Sequence, residues 1–144
     1  MNVPGLRSPY DQVGGLFHFA RMLDKIRLHA AGKLPADYSE NLGIGYDARC
    51  CKLLHVKYED VVARVKSGGT DDEILQWCFA QGHRPNAEES EVWNGFMSKR
   101  GWRDSASEIL VNRLKESGLA HRTDIQTMFD YIDADEGRPP RAKG

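Results

Sequence analysis

The sequence predicts an all-α fold, a compact single domain over residues 1–144 built from about six or seven short helices. Apolar residues recur at helical spacing along most of the chain, helix-capping signals recur at short intervals, and no segment alternates as a strand would. A chain of 144 residues suits one domain. A domain of this size buries enough surface to form a core without metal or disulfide support.

The first predicted helix lies in the N-terminal part of the chain. Ser8-Pro9 has the form of an N-cap followed by proline at the first helical position, and Gly14-Gly15 weakens or divides the helix. From there a regular apolar stripe follows, made of Leu16, Phe19, Ala20, Leu23, Ile26 and Ala30. Gly32 ends the helix, and residues 33–45, which contain two glycines and a proline, are expected to form a loop.

Three helices are predicted in the middle of the chain, over about 47–55, about 58–66 and from Thr70 onward. The last has the best capping signal in the sequence, because the Thr70 hydroxyl can accept the Glu73 amide while the Glu73 carboxylate reaches back to the Thr70 amide. Its expected buried face consists of Ile74, Leu75, Trp77 and Cys78.

The C-terminal part predicts three more helices. The first covers 86–99 and is expected to turn four apolar side chains inward, Val92, Trp93, Phe96 and Met97. A second capping box at 105–108 opens the next helix, and residues 123–126 open the last one. The tail from about 137 has two prolines and three basic residues, and we expect it to be mobile.

Charge and composition exclude several classes of protein. The formal net charge of −1 argues against a nucleic-acid partner, because DNA-binding domains usually carry a basic footprint. The sequence contains no signal-peptide core and no run of apolar residues long enough to span a membrane, so no membrane partner is expected. Three cysteines, two of them adjacent, do not resemble a secreted disulfide framework. We therefore expect a cytoplasmic protein in a reducing compartment.

The sequence predicts neither a cofactor nor a metal. It lacks a phosphate-binding glycine loop, a nucleophile elbow and a zinc-protease helix motif. Cys51 with His55, and Cys78 with His83, would supply the four ligands of a tetrahedral zinc ion, but their spacing matches no established finger. Because Cys78 shares an apolar stripe with its neighbours, we interpret these cysteines as core residues.

The first helix carries the candidate binding site. His18, Arg21, Lys25 and His29 follow at spacings of three, four and four, so they share the face opposite the apolar stripe, with Asp24 beside them. Arginine binds a carboxylate or phosphate through two hydrogen bonds, and lysine adds a point charge. The candidate ligand-binding residues are Arg21, Asp24, Lys25 and His29. The alternative is a solvated face whose cations are balanced by acids from other helices.

Two further features leave alternatives open. Trp102 lies between basic residues in a turn, where we expect it to fill a gap between two helices, the alternative being a stacking surface beside cations. An acidic cluster, Asp133, Asp135 and Glu136, ends the last helix. We expect a solvated terminus there, with binding of a cation or contact with the basic first helix as alternatives.

Several segments carry a family resemblance. The first helix contains the run Arg21-Met22-Leu23-Asp24-Lys25-Ile26-Arg27, and the later segments are Gly69–Trp77 and Asp124–Gly137. These resemble a bacterial family catalogued as domain of unknown function five-zero-six-nine, over about residues 6–137. The resemblance implies a small, mostly helical bacterial protein and no particular activity.

Three functions compete at this point. The leading hypothesis is a binding module that presents Arg21, Lys25 and His29 to an anionic small molecule or an acidic protein surface. The second is a small enzyme for a phosphorylated or carboxylated metabolite, with Asp24 or His29 as general base. The third is a structural or oligomeric component without catalysis, in which the stripe meets the acidic chain end of another copy.

Overall fold

The computed structural model describes residues 1–141 and contains eight helices and no strand in that range. Their bounds are α1 Phe19–Ala30, α2 Ala36–Ser39, α3 Tyr46–Leu54, α4 Tyr58–Lys66, α5 Asp71–Gln81, α6 Ala87–Lys99, α7 Ser107–Glu116 and α8 Met128–Asp135. One isolated bridge joins Val13 and Leu16. The all-α prediction is confirmed, and the extra helix is the four-residue α2, inside the segment 33–45 that was predicted as a loop.

Helix α1 is the centre of the structure. Every residue from Phe19 to Ile26 is buried, and the helix packs on α3 and α4. Its predicted apolar stripe forms the core together with side chains of α3 to α6 and α8, such as Leu54, Val61, Ile74, Met97 and Phe129. Ala30, the last residue of the predicted stripe, is exposed. The prediction that this helix begins near Ser8 is wrong. The chain before it is irregular because His18 takes the left-handed conformation, with φ of 72°, and a helix cannot continue through it.

Helix α5 begins as predicted, whereas two later caps differ. Both hydrogen bonds of the Thr70–Glu73 capping box are present. Helix α7 does not use the predicted box at 105–108. There the Asp104 carboxylate accepts the amide of Ala106, and the Ser107 hydroxyl accepts the amide of Asp104. Helix α8 begins after Thr127, whose hydroxyl accepts the amide of Asp130, and not at 123–126. Several short polar side chains close in sequence can each cap a helix start, so the local sequence does not decide which of them is used.

Helix α6 corrects the predicted core. Trp93 and Met97 are buried, but Val92 and Phe96 are 65% and 44% exposed. Each pair lies at i and i+4 and forms a stripe along the helix, and the two stripes are adjacent. The core covers the stripe of Trp93 and Met97 and leaves the other stripe exposed. Trp102, predicted to fill a gap between helices, is 47% exposed, and the Arg103 guanidinium lies 5.0 Å from its ring centre.

The tail predicted to be mobile is held by side-chain contacts in its described part. Arg138 donates to the Leu6 carbonyl and to Glu136 and Asp133, and Arg141 donates to Asp133. The rest of the predicted tail, residues 142–144, lies outside the described residues.

Candidate functional site

Arg21, the first of the predicted ligand-binding residues, lies inside the protein and is paired with a carboxylate. Its Nη1 and Nη2 donate to Glu136 Oε1 and Oε2 at 2.8 and 2.6 Å, and the two side chains are only 7% and 3% exposed. Glu136 also accepts hydrogen bonds from Tyr38 and Arg138. Burial alone would raise the pKa of Glu136, but the hydrogen bonds and positive charge around it outweigh burial and lower that pKa.

Asp24, the second predicted residue, binds the N-terminal segment to α1. Its Oδ2 accepts from the backbone amide of Arg7 at 3.0 Å and from Arg7 Nε at 2.9 Å, and Oδ1 accepts from Nη2 at 3.0 Å. Arg7 also lies 2.8 Å from Asp71 at the start of α5, and Arg27 donates to the same carboxylate at 2.7 Å. Two arginines and two aspartates therefore neutralise one another where α1 meets α5.

Lys25, the third predicted residue, contacts an acid in α3. Its Nζ lies 2.9 Å from Oδ2 of Asp47, whose side chain is fully buried. The same carboxylate accepts the Gly43 amide at 3.1 Å and pairs with His18 Nε2 at 2.7 Å. Burial would raise the pKa of Asp47, but its hydrogen bonds and the Lys25 charge outweigh this and lower it. Asp47 therefore remains ionised as the partner of Lys25 in α1 and of His18 immediately before that helix.

His18 is neutral in this arrangement. Burial lowers the pKa of the imidazole, and this effect outweighs the attraction of Asp47. A neutral ring that lies 2.7 Å from a carboxylate carries its proton on the facing nitrogen, so Nε2–H donates to Asp47. The other nitrogen, Nδ1, is a buried acceptor with no hydrogen-bond partner among residues 1–141. The ring packs edge-on against Tyr46, with 5.8 Å between the centroids.

The structure does not bring the four predicted site residues together. Arg21 and Lys25 belong to two separate buried ion pairs, and Asp24 pairs with the partly exposed Arg7. His29 is exposed and has no ion-pair partner among residues 1–141. A ligand for this face would have to displace a carboxylate such as Glu136 from Arg21. The binding face therefore stays a prediction.

The partners of the first helix are what sequence reasoning missed. Glu136 and Asp133 were expected in a solvated terminus, but each is only 5% exposed. The structure instead contains the alternative arrangement, a contact between the acidic cluster and the first helix. Glu136 pairs with Arg21, which lies 115 positions earlier in the sequence. The acidic cluster at the chain end was the one signal that pointed to this pairing.

A groove between α3 and α6 is an open surface that the sequence did not predict. It encloses about 590 Å³. Its lining combines apolar and charged side chains, namely Arg49, Lys52, Leu53, Glu88, Glu89, Val92, Trp93 and Phe96. The guanidinium groups of Arg49 and Arg100 lie 5.3 and 5.7 Å from the centre of the Phe96 ring. Arg49 and Lys52 form no ion pair within residues 1–141.

A second cavity, of about 520 Å³, lies beside α8. Its lining includes residues 138–141, the aromatic residues Tyr10 and Phe17, and Arg122 and Ile125. Asp124, Asp130 and Asp133 contribute carboxylates to the same lining. Neither this cavity nor the groove is lined by any of the four residues predicted from the first helix.

The three cysteines are core residues, which confirms the interpretation of Cys51 and Cys78. All three are buried and free. Burial raises the pKa of Cys51 to about 12 and that of Cys78 to about 11, which disfavours the reactive thiolate. No cluster of three or more His, Cys, Asp or Glu side chains that would hold a metal occurs among residues 1–141. Over the same range, no helix has the length and apolar character needed to cross a bilayer.

The fold and these surfaces define a small helical protein whose central helix is fixed by buried ion pairs and whose open groove faces solvent. The chain belongs to the family described as Domain of unknown function (DUF5069), whose model matches residues 3–138. This match confirms the resemblance, and it includes both Arg21 and its partner Glu136. A comparison with curated proteins found no match.

Proposed function

We propose that the protein is a binding module that docks an acidic amphipathic helix of another protein in the groove between α3 and α6. The observation that carries the proposal is that this groove combines exposed apolar side chains with cations that form no ion pair among residues 1–141. The proposal keeps the predicted class of function, recognition of an acidic partner, and transfers it from the first helix to this surface.

The difference between the cations of α1 and α3 supports this assignment. Arg21 and Lys25 already face buried carboxylates at 2.6 and 2.9 Å. Arg49 and Lys52 lie one helical turn apart on α3, and within the described part of the chain neither forms an ion pair. Positive charge without an internal partner attracts an acidic surface and speeds its association. The recognition of acidic side chains is therefore assigned to α3.

The apolar part of the groove supports a helical occupant. Val92 and Phe96 lie one turn apart on α6 and are 65% and 44% exposed, beside Leu53 and the nearly buried Trp93. A row of apolar side chains between two helices matches the i, i+3, i+4 and i+7 side chains of an amphipathic helix. Arg49 over the Phe96 ring places a guanidinium at the edge of this row, where a partner carboxylate would contact it.

The charges on α3 and α6 define which flank of the partner helix is acidic and which is basic. On α6, Glu88 faces the groove from the side opposite Arg49 and Lys52. Its neighbour Glu89 is already engaged, since it accepts the Asn86 amide at 3.0 Å and pairs with the His83 ring at 2.9 Å. The expected partner helix has an apolar face with acidic residues along the flank near α3 and a basic residue on the flank near Glu88.

The cellular compartment is part of the proposal. We place the protein in the cytoplasm, because its three thiols are free and buried and none is bridged.

The test uses a synthetic amphipathic peptide with leucines at i, i+3, i+4 and i+7, glutamates on one flank and lysines on the other. Its affinity for the full chain is measured by fluorescence anisotropy. We expect Phe96→Ser to weaken binding about thirtyfold, corresponding to about 2 kcal/mol for an interface anchor. We expect Arg49→Glu to weaken it by at least as much, and exchange of the peptide's charged flanks to weaken it similarly.

Ile109→Ser is the matched control variant. Ile109 lies on α7 and is 48% exposed, close to the value for Phe96, but it does not line the groove. Equal losses with both serine variants, or no effect of exchanging the peptide flanks, would refute recognition of an acidic helix. Sedimentation of the free protein gives a second outcome: a dimer that Phe96→Ser dissociates would show that a second copy of the chain occupies the groove.

A further inference from the structure

We infer that the cavity beside α8 is a separate binding site for a small aromatic molecule that carries a carboxylate or phosphate group. It shares no lining residue with the α3–α6 groove, so this inference does not depend on the proposed docking function. Its volume of about 520 Å³ lies within the range of pockets that hold small ligands.

The cavity walls provide aromatic surface. Tyr10 and Phe17 pack edge-on with 5.7 Å between centroids, and both also contact Phe129 in the core. The Tyr10 hydroxyl is fixed because it donates to Asp130 at 2.7 Å. Rings held in this way form a rigid apolar wall against which a ligand ring packs at little cost in side-chain entropy.

Three carboxylates, of Asp124, Asp130 and Asp133, line the cavity beside three arginines. Asp133 is nearly buried, and its two oxygens accept from Arg138 and Arg141, both at 3.2 Å. Asp130 accepts from Tyr10 through Oδ1 and from the Gln126 amide through Oδ2. These hydrogen bonds hold both carboxylates in place within the lining.

Three arginines line the same cavity; each is paired with a carboxylate, and two of them keep an N–H group that is not used in the pair. Arg122 donates to Asp124 through Nε and Nη2, and Arg141 donates to Asp133 through Nε. A guanidinium has five N–H donors, so Nη1 of Arg122 and Nη1 of Arg141 have no hydrogen bond among residues 1–141. Arg141 is also held in place, with its guanidinium 4.8 Å from the centre of the Tyr10 ring. Preorganised guanidinium groups beside an aromatic wall bind an oxyanion attached to a ring.

Four probes separate the parts of this recognition. Benzoate and phenyl phosphate carry both the ring and the charge, inorganic phosphate lacks the ring, and benzyl alcohol lacks the charge. Each is titrated into the full chain while backbone amide resonances are followed by NMR. We expect benzoate, phenyl phosphate or both to cause saturable shifts at Phe17, Ser98 and Ala134, and the stronger of the two identifies the anionic group.

Three variants and one control locate the site. Arg122→Gln and Arg141→Gln should each weaken binding of the stronger probe about tenfold, while Arg113→Gln, an exposed arginine of α7 outside the cavity, should leave it unchanged. Ala134→Leu should abolish binding because it fills the cavity and leaves every arginine in place. Circular dichroism and thermal melting identify any variant that has lost its fold.

Specific outcomes would overturn the inference. If inorganic phosphate or benzyl alcohol bound as tightly as the aromatic anions, the site would not require both a ring and a charge in its ligand. Unchanged affinity in folded Ala134→Leu would place binding outside the cavity. The absence of saturable shifts up to concentrations on the order of 10 mM would exclude the site for this chemistry.

Discussion

Removing the buried cation of α1 is the sharpest test of how this fold is held together. In Arg21→Met, the apolar stem is kept and the guanidinium is lost, so Glu136 becomes a carboxylate, 3% exposed, without its bidentate partner. Breaking a buried pair from one side costs about 3–5 kcal/mol. Glu136 still accepts from Tyr38 and Arg138, so we expect the lower end, about 3 kcal/mol.

The magnitude is accessible to ordinary measurements. For a chain of this length, 3 kcal/mol corresponds to a decrease in Tm of about 10 °C. Urea denaturation gives the change in the free energy of unfolding directly, and an unchanged slope shows that the denatured state is the same. Arg113→Met is the matched control, because Arg113 and its partner Glu116 are both more than half exposed. It should change the stability by less than about 0.5 kcal/mol.

A double variant separates the cost of leaving Glu136 unpaired from the other effects of losing Arg21. Arg21→Met combined with Glu136→Gln removes the unpaired charge, so it should recover about 1–2 kcal/mol of the loss caused by Arg21→Met. A loss below about 1 kcal/mol for Arg21→Met, additive with that of Glu136→Gln, would refute the buried pair. The guanidinium would then be accessible, as the prediction of a ligand-binding face on the first helix requires.

Three further predictions follow from other parts of the core. The free energy of unfolding should fall as the pH decreases below about 6.5, because burial lowers the pKa of His18 and only the unfolded chain takes up the proton. His18→Asn, which tolerates the left-handed backbone, should remove that part of the pH dependence in urea titrations, and an unchanged profile would exclude His18 as its source. Gly82→Ala should destabilise the protein because its Cβ would overlap the Leu54 carbonyl oxygen, whereas Gly95→Ala in open space within α6 should stabilise it by about 0.5–1 kcal/mol. Equal melting temperatures for the two alanine variants would contradict the close contact. Iodoacetamide should react slowly with the three thiols in the native protein and rapidly with the protein unfolded in urea. Fast labelling of the native protein would argue against burial of Cys50, Cys51 and Cys78.

Local sequence determined most of the helices. The bounds of α4 agree with prediction at both ends, and α5 begins at its predicted capping box. The apolar stripe from Leu16 to Ile26 was identified correctly as core. These features depend on side chains within three or four positions of one another, so the chain encodes them without reference to its other parts.

The tertiary structure alone decided which faces were covered and which charges were paired. Periodicity placed Arg21 and Lys25 on one polar face, but their burial depends on Glu136 and Asp47, which belong to other helices. Periodicity likewise assigned Val92 to the core, although the neighbours of α6 cover only the adjacent stripe. A helical pattern defines the faces of a helix and not the elements that pack on them, and a charge can be buried only where folding supplies its partner.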